Sequence, residues 1–180
     1  MICNCIEDCM VHIKDSNQRI QRDKCPNDSS QCIQSTDNRS KIVCRENRAC
    51  YTLENTKQKI IVSYCVDGGI IKNDKDVEDN ISKCDYLYAE IEKNYAILIE
   101  LKGKNVSHAL EQLLNTLGIL NKFLSYYEHV YARVVFSKGT PNLQASSSYV
   151  KLYKKIKKMN GNIKVHEKNL NERDTQLVKE

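Results

Sequence analysis

One short apolar run constrains this chain more than any other stretch, because it ends in an acid and a base. Tyr95-Ala-Ile-Leu-Ile-Glu-Leu-Lys102 is apolar on both faces before its end, which is typical of a strand inside a sheet. Glu100 and Lys102 stand two residues apart, so they share one face of the strand. Charges at the end of a buried strand need partners, a metal or a ligand. The run therefore predicts an interior strand that ends in a binding site.

A second β-rich run, Cys84–Ile91, precedes the first and contributes an acid, Asp85. Polar residues between the two runs predict a hairpin. A reversal over Lys93-Asn94 sets Asp85 opposite Lys102 and places all three ionic groups on one face of the sheet. A slip of one residue would move Asp85 to the other face, so this register is a prediction that coordinates can test.

Two carboxylates and a lysine at adjacent strand ends suit a hard cation. Mg²⁺ takes oxygen ligands and is often held by one or two carboxylates, waters and substrate phosphates. A neighbouring ammonium group can orient a metal-bound water or neutralise charge on a scissile phosphate. The set therefore fits phosphodiester hydrolysis. The alternative is a surface ion pair between Glu100 and Lys102, which would contribute little to stability.

At this point the chain resembles the PD-(D/E)XK nuclease superfamily. The acids are separated by fourteen residues, the Glu-x-Lys element closes a buried strand, and Gly103 and an amphipathic helix follow at once. The usual proline before the first acid is replaced by Cys84. The matching residues are Val66-Asp-Gly68, Lys83-Cys-Asp-Tyr-Leu87, Ile97-Leu-Ile-Glu-Leu-Lys-Gly103, Ala109-Leu-Glu-Gln112 and Ala132-Arg-Val-Val-Phe-Ser137.

The resemblance implies an α/β fold with a restriction-endonuclease-like α-β-β-β-α-β core, in which helices flank a central mixed β-sheet. It implies Mg²⁺, or Mn²⁺, held by Asp85, Glu100 and the Leu101 carbonyl. It also implies that Lys102 is the catalytic lysine and that Gln112 faces the site from the following helix. The implied activity is endo- or exonucleolytic hydrolysis of nucleic acid, with DNA favoured, and the resemblance leaves a homodimer open.

The composition agrees with a folded, polyanion-binding protein. Of the 180 residues, 41% are hydrophobic, which can fill one core, and the formal charge is +5. Much of the positive charge lies late, in Lys151–Lys158, which could track phosphates or could be the solvated face of a helix. The candidate nucleic-acid-binding residues are Lys138, Lys154, Lys155 and Lys158. We expect a cytoplasmic protein with no membrane partner, because no apolar stretch is long enough to span a bilayer.

The cysteines are concentrated at the start of the chain. Seven of the nine lie in the first 50 residues. Only Cys3-Asn-Cys5, with Cys9 and His12, approaches the tight ligand pairs of zinc modules. Reduced thiols are therefore the default expectation, and zinc at the N-terminal cysteines is the less favoured one.

Sequence patterning predicts three regions. Residues 1–40 form a cysteine-rich polar N-terminal appendage, residues 41–166 a nuclease-like core domain, and residues 167–180 a polar tail that frays. The best helix follows Lys102, with Asn105 as its N-cap and an apolar stripe at three- and four-residue steps.

Three residues outside the motif are secondary candidates. Glu54 stands before a predicted strand and is either an extra acid of the site or a solvated residue. Asp67 either holds an Asp-Gly turn or approaches the metal. His108 lies on the same helix edge as Gln112, where it could bind phosphate or remain at the surface.

Two other functions compete with the nuclease. A catalytically inactive module on a nuclease scaffold would bind nucleic acid or a partner protein without needing the metal or Lys102. A zinc or thiol-redox element in the cysteine-rich start, with the rest as its scaffold, is the third hypothesis.

Overall fold

Mixed β-structure dominates this computed structural model, which describes residues 32–71, 81–92, 94–139, 143 and 146–178. The strands are β1 (Ile33–Asp37), β2 (Lys41–Glu46), β3 (Ala49–Glu54), β4 (Ile61–Cys65), β5 (Tyr86–Glu90), β6 (Tyr95–Lys102), β7 (His129–Phe136), β8 (Ile163–Glu167) and β9 (Asn169–Arg173). The helices are α1 (Val106–Ile119), α2 (Asn121–Leu124) and α3 (Ser147–Lys158), and a 3₁₀ turn covers Asp174–Gln176. Among these described helices, none is long and apolar enough to cross a membrane.

The main sheet has six strands in the order β1-β4-β5-β6-β7-β8. Its first four strands pair antiparallel, whereas β6, β7 and β8 are parallel. Helix α1 lies in the connection from β6 to β7, which are parallel neighbours, as such a crossover requires. The expected α/β class with a mixed sheet is therefore present.

Strand β6 lies in the interior of the main sheet, as its sequence predicts. Ile97, Ile99 and Leu101 pack into the core shared with the small sheet, while Ala96 and Leu98 pack into the core beneath the helices. Burial of each large aliphatic side chain contributes roughly 1.5–3 kcal/mol, so the strand is anchored from both sides. By alternation, Glu100 and Lys102 belong to the helix side.

Helix α1 covers that side of the sheet and begins where the sequence places it. The Asn105 side chain accepts a hydrogen bond from the backbone N–H of His108, which satisfies one of the free donors of the first turn. Its apolar stripe, including Leu110, Leu113 and Leu117, is buried against β6, β7 and α3.

A second, three-stranded sheet packs on the opposite face of the main sheet, in the order β2-β3-β9. Strands β2 and β3 form a hairpin, and β9 pairs parallel with β3. Tyr51 of this sheet contacts Tyr88 of β5, with ring centroids 5.9 Å apart.

The boundaries of the folded region differ from the expected ones at both ends. We expected the core to begin at residue 41, but β1 already pairs with β4 in the main sheet. We also expected residues 167–180 to fray, but β9 completes the small sheet, and Leu170, Glu172 and Leu177 are buried. The tail is ordered because Glu172 forms a buried ion pair with Arg133 of β7, with Arg133 Nε 2.7 Å from Glu172 Oε2.

The register of the central hairpin differs from the expected one by two residues. Tyr86 pairs with Ile99, so Asp85 stands beside Glu100 rather than opposite Lys102. The turn is displaced because the buried carboxylate of Glu90 accepts hydrogen bonds from the backbone N–H groups of Glu92 and Asn94. A shift of two residues keeps the same side chains on the same face.

Two expectations concern segments that the structure describes only in part. The helix that begins the α-β-β-β-α-β core has no counterpart in residues 32–60, where β1, β2 and β3 precede β4. The candidate zinc ligands Cys3, Cys5, Cys9 and His12 lie outside the described residues. Within the described residues, Cys44 and Cys84 are buried free thiols, and no three metal-binding side chains gather at one point.

Candidate active site

The acidic pair lies where β5 begins and β6 ends, beneath helix α1. Asp85 immediately precedes β5, and Glu100 is in β6 with its side chain fully buried. The backbone N–H of Asp85 donates to Glu100 Oε2 at 3.1 Å. In return, Asp85 Oδ2 accepts a hydrogen bond from the backbone N–H of Leu101 at 2.7 Å. These reciprocal bonds fix both carboxylates at the same edge of the sheet.

The amide of Leu101, rather than its carbonyl, makes the observed contact in this pair. A carboxylate that accepts a backbone N–H is restrained in rotation, so one Asp85 oxygen is held by β6 itself. The predicted carbonyl ligation by Leu101 stays a prediction.

Lys102 completes the cluster from the last position of β6. Its Nζ lies 2.9 Å from Glu100 Oε1 and donates to Gln112 Oε1 at 2.5 Å. The contact with Glu100 is an ion pair to a buried carboxylate oxygen. The positive charge of Lys102 therefore offsets part of the desolvation cost of this buried carboxylate.

Three side chains of helix α1 hold the segment that carries Asp85. Gln112 Nε2 donates to the Lys83 carbonyl at 2.6 Å, and Asn115 Nδ2 donates to the Ser82 carbonyl at 3.2 Å. The Thr116 hydroxyl accepts from the backbone N–H of Cys84 at 2.9 Å. Because residues three and four apart share a helix face, this face fixes the approach to β5. Gln112 therefore touches both sides of the site.

Burial and mutual repulsion raise the pKa of both acids. Desolvation raises the pKa of Glu100 to about 8, the charge of Asp85 adds to this effect, and Lys102 opposes it. Desolvation likewise raises the pKa of Asp85 to about 6, against the hydrogen bond from Leu101. Two close carboxylates in a dry site resist ionising together, unless a cation neutralises them.

The structure places the secondary candidates at different distances from this cluster. Asp67 Oδ1 lies 3.8 Å from Lys83 Nζ, and its charge contributes to the raised pKa of Asp85, so Asp67 belongs to the surroundings of the site. Glu54 ends β3 and forms an ion pair with Arg173 at 2.9 Å. His108 lies on the first turn of α1, with its Nδ1 3.6 Å from the exposed Glu111.

The candidate nucleic-acid-binding lysines divide into two groups. The backbone N–H of Lys138 donates to the Gly103 carbonyl at 3.1 Å, which places Lys138 beside the end of β6. Lys158 is the last residue of α3. The carbonyl of the next residue, Met159, accepts a hydrogen bond from the N–H of Val130, so Lys158 lies near the start of β7. Lys154 and Lys155 are exposed on the last turns of the same helix.

Two relevant groups have no strong signal in the sequence. Glu46, at the tip of the β2–β3 hairpin, is close enough to raise the pKa of Asp85 by its charge. Arg133 and Glu172 form a buried ion pair that joins the two sheets. Both contacts depend on the packing of the small sheet, which only tertiary structure reveals. The one available signal for the hairpin is Asn47, a residue type common in tight turns.

Comparison with protein-family models, with curated proteins and with solved structures gave no match. The candidate site therefore has to be interpreted from its own geometry and chemistry.

Proposed function

We propose that this chain is a metal-dependent nuclease of the PD-(D/E)XK type that hydrolyses phosphodiester bonds of nucleic acid, with DNA the favoured substrate. The observation that carries the proposal is the buried Asp85–Glu100 pair, whose reciprocal hydrogen bonds bring two carboxylates to one edge of the sheet. Two carboxylates this close in a buried site resist ionising together unless a cation neutralises them.

The residues present fit a magnesium or manganese ion. Asp85 and Glu100 supply hard oxygen ligands at one edge of the sheet, and the Leu101 carbonyl is the further ligand that we propose. When bound, the ion would supply Lewis-acid charge to the scissile phosphate and help to activate the attacking water. Asp85 and Glu100 would be deprotonated in the bound state, because a nearby cation favours the charged form of a carboxylate.

Lys102 is the proposed catalytic lysine. Its ammonium group lies 2.9 Å from Glu100 Oε1, which places a fixed positive charge beside the carboxylates. Such a charge can stabilise a phosphate that gains negative charge as water attacks. Gln112 is a positioning residue in this proposal, because it accepts from Lys102 and donates to the strand segment before Asp85.

The order of elements supports the restriction-endonuclease-like assignment. Strands β4, β5 and β6 are followed by α1 and then by β7, which pairs parallel with β6. This order is compatible with the β-β-β-α-β part of the expected core, with Asp85 directly before the second of these strands and Glu100 on the third. A homodimer that cuts both strands is a part of the proposal that rests on the resemblance, whereas the proposed cytoplasmic location rests on the sequence, which has no apolar stretch long enough to span a bilayer.

The test is a cleavage assay over plasmid DNA, single-stranded DNA and RNA. We expect wild-type protein to cleave at least one substrate with Mg²⁺ or Mn²⁺ and to lose that activity in chelator. The Glu100→Ala variant should be inactive and still folded, as judged by circular dichroism. Full activity of Glu100→Ala would overturn the assignment of the site.

The same assay separates the nuclease from a binding module. The Glu111→Ala variant is the matched control, because Glu111 is an exposed acid on α1 that forms an ion pair with His108. Nucleic-acid binding without cleavage by wild-type protein, unchanged by chelator and by Lys102→Ala, would favour the inactive module instead.

A further inference from the structure

The tip of the β2–β3 hairpin has an unusual backbone. Glu46 pairs with Ala49, so Asn47 and Arg48 form a two-residue turn, with φ angles of 48° and 65°. Such turns need positive φ at both central residues, and the second of them is most often glycine. Here the second residue is an arginine, in a region of backbone space that is unfavourable for long side chains. Strained residues that persist in this way often serve function.

A chain of backbone contacts places this tip at the same edge as the acidic pair. Lys102 pairs with Phe136 of β7, and the Phe136 carbonyl accepts a hydrogen bond from the N–H of Lys168 at 2.7 Å. The Lys168 carbonyl in turn accepts from the N–H of Cys50 at 2.8 Å, directly behind the tip. The charge of Glu46 also acts on Asp85, which agrees with this closeness.

The tip is rich in exposed cations. Arg45 and Arg48 are exposed, and neither forms an ion pair with another described residue. They line an open pocket of about 480 Å³ together with Glu46, Cys50 and Asn169. Lys168 borders the same region and also has a positive φ, 63°, with 68% of its side chain exposed. Two arginine guanidinium groups beside an open pocket suit phosphate oxygens, which they can bind in a bidentate manner.

The lysines near the end of α3, in Lys151–Lys158, lie farther from the site. Met159, next to Lys158, bonds to Val130, whereas the site lies beside Phe136, six residues along β7. At about 3.3 Å per residue these points are roughly 20 Å apart. The end of α3 is therefore far from the end of β6 that carries the site, whereas Glu46 at the hairpin tip is close enough for its charge to act on Asp85.

We infer that Arg45 and Arg48 bind the sugar-phosphate backbone of the nucleic acid next to the phosphate that is cleaved. This inference rests on the proposed function, since it names the residues that hold the substrate of that site. The hairpin tip acts as a clamp that fixes the strand relative to Asp85 and Glu100. Its contacts are to phosphate and carry no sequence preference of their own.

The experiment compares a double variant, Arg45→Gln with Arg48→Gly, with wild-type protein. Glycine suits the positive φ of residue 48, so this change removes the cation without adding backbone strain. The control is Arg39→Gln with Lys41→Gln, which removes the same charge at the other end of β2. Binding of a short fluorescein-labelled DNA duplex is measured by anisotropy in chelator, over a series of salt concentrations.

We expect the tip variant to bind at least tenfold more weakly and the control to bind like wild-type protein. Each lost phosphate contact lowers the slope of log affinity against log salt by about 0.9, so the slope should fall by about 2. With Mg²⁺, the tip variant should show a raised KM and a kcat close to that of wild-type protein. Its thermal stabilisation by Mn²⁺ should be unchanged.

Three results would overturn the inference, and they differ in what they say about the proposed function. Equal affinity and slope in the tip variant, with wild-type cleavage intact, would remove the clamp and leave the nuclease. Equal weakening in the control would show a general effect of charge, again leaving the nuclease. Wild-type protein that neither binds nor cleaves nucleic acid would remove both.

Discussion

The backbone N–H of Asp85 donates a hydrogen bond to Oε2 of Glu100 over 3.1 Å, across the open end of the β5–β6 hairpin. This bond makes the position of one acid depend on the other. It also leaves the second oxygen of Glu100 to Lys102, at ion-pair distance. The two acids and the lysine are therefore one unit, and each substitution in it has a distinct expected effect.

Replacing Glu100 by glutamine should stabilise the metal-free protein at alkaline pH. Burial raises the pKa of Glu100 from an ordinary 4.5 to about 8. Because the pKa of Glu100 is higher in the folded protein than in the unfolded chain, Glu100 contributes fully to stability only at pH values below its pKa in the unfolded chain. This contribution is lost as the pH rises through about 8. Glutamine cannot ionise, so Glu100→Gln should escape this loss, which is on the order of a few kcal/mol.

Urea unfolding in chelator, followed by circular dichroism between about pH 6 and pH 9, checks this expectation. Wild-type protein should lose stability across the range, while Glu100→Gln should change much less. The control Glu111→Gln should follow the wild-type curve, because Glu111 is exposed. Parallel curves for wild-type protein and Glu100→Gln would contradict the raised pKa.

Replacing Lys102 by methionine should abolish cleavage and leave metal binding in place. Methionine keeps an apolar stem over the sheet but removes the charge beside Glu100 Oε1. Loss of one electrostatic or acid–base group at a reacting centre typically lowers kcat by about 10²–10⁴-fold. Single-turnover cleavage with Mg²⁺, alongside Mn²⁺ binding, measures both properties. Lys122→Met on α2 is the control, and unchanged cleavage by Lys102→Met would refute the role of the lysine.

Replacing Glu172 by glutamine should destabilise the fold without involving the site. The Glu172 carboxylate contacts Arg133 at 2.7 Å and Lys164 at 2.6 Å, and both Arg133 and Glu172 are almost completely buried. Breaking such a pair leaves an uncompensated charge and costs roughly 3–5 kcal/mol. The exposed pair of Glu54 with Arg173 is the matched control, and Glu54→Gln should cost less than about 1 kcal/mol.

The effect of Glu172→Gln should shrink in acid. Burial acts to raise the pKa of Glu172, but hydrogen bonds and charges from Arg133 and Lys164 outweigh it and lower the pKa below 4.5. A carboxylate whose pKa is lowered by folding stabilises the protein at pH values above its pKa in the unfolded chain. This contribution is lost as the pH falls through its pKa in the folded protein. Urea unfolding of wild-type and variant protein at neutral pH and below about pH 4 measures the difference. A constant difference would contradict the ion-pair explanation.

Local signals in the sequence predicted the elements around the site well. The apolar run before Glu100 predicted an interior strand, and the stripe after Asn105 predicted α1 with its N-cap. Both features depend on residues close together in the chain, where side-chain period and capping preferences decide the conformation. The convergence of Asp85 with Glu100 followed from that patterning, although the expected register was two residues away.

The remaining features depend on contacts between distant parts of the chain. Nothing local shows that Glu90 caps the hairpin turn, which sets the register. Residues 169–173 are mostly polar, and they form a strand of the small sheet in which Leu170 is buried and Glu172 pairs with Arg133. The charge of Glu46 at the hairpin tip acts on Asp85 only because that sheet packs across the main one. Tertiary packing overrides local preference in each case.

The central claim is that Asp85 and Glu100 together hold one divalent cation, and calorimetric titration with Mn²⁺ near pH 8 tests it most directly. Asp85→Asn and Glu100→Gln are compared with wild-type protein and with Glu111→Gln. We predict one binding event in wild-type protein and in Glu111→Gln, and binding at least tenfold weaker in each of the other two. Absence of binding by wild-type protein, or full binding by both site variants, would contradict the account.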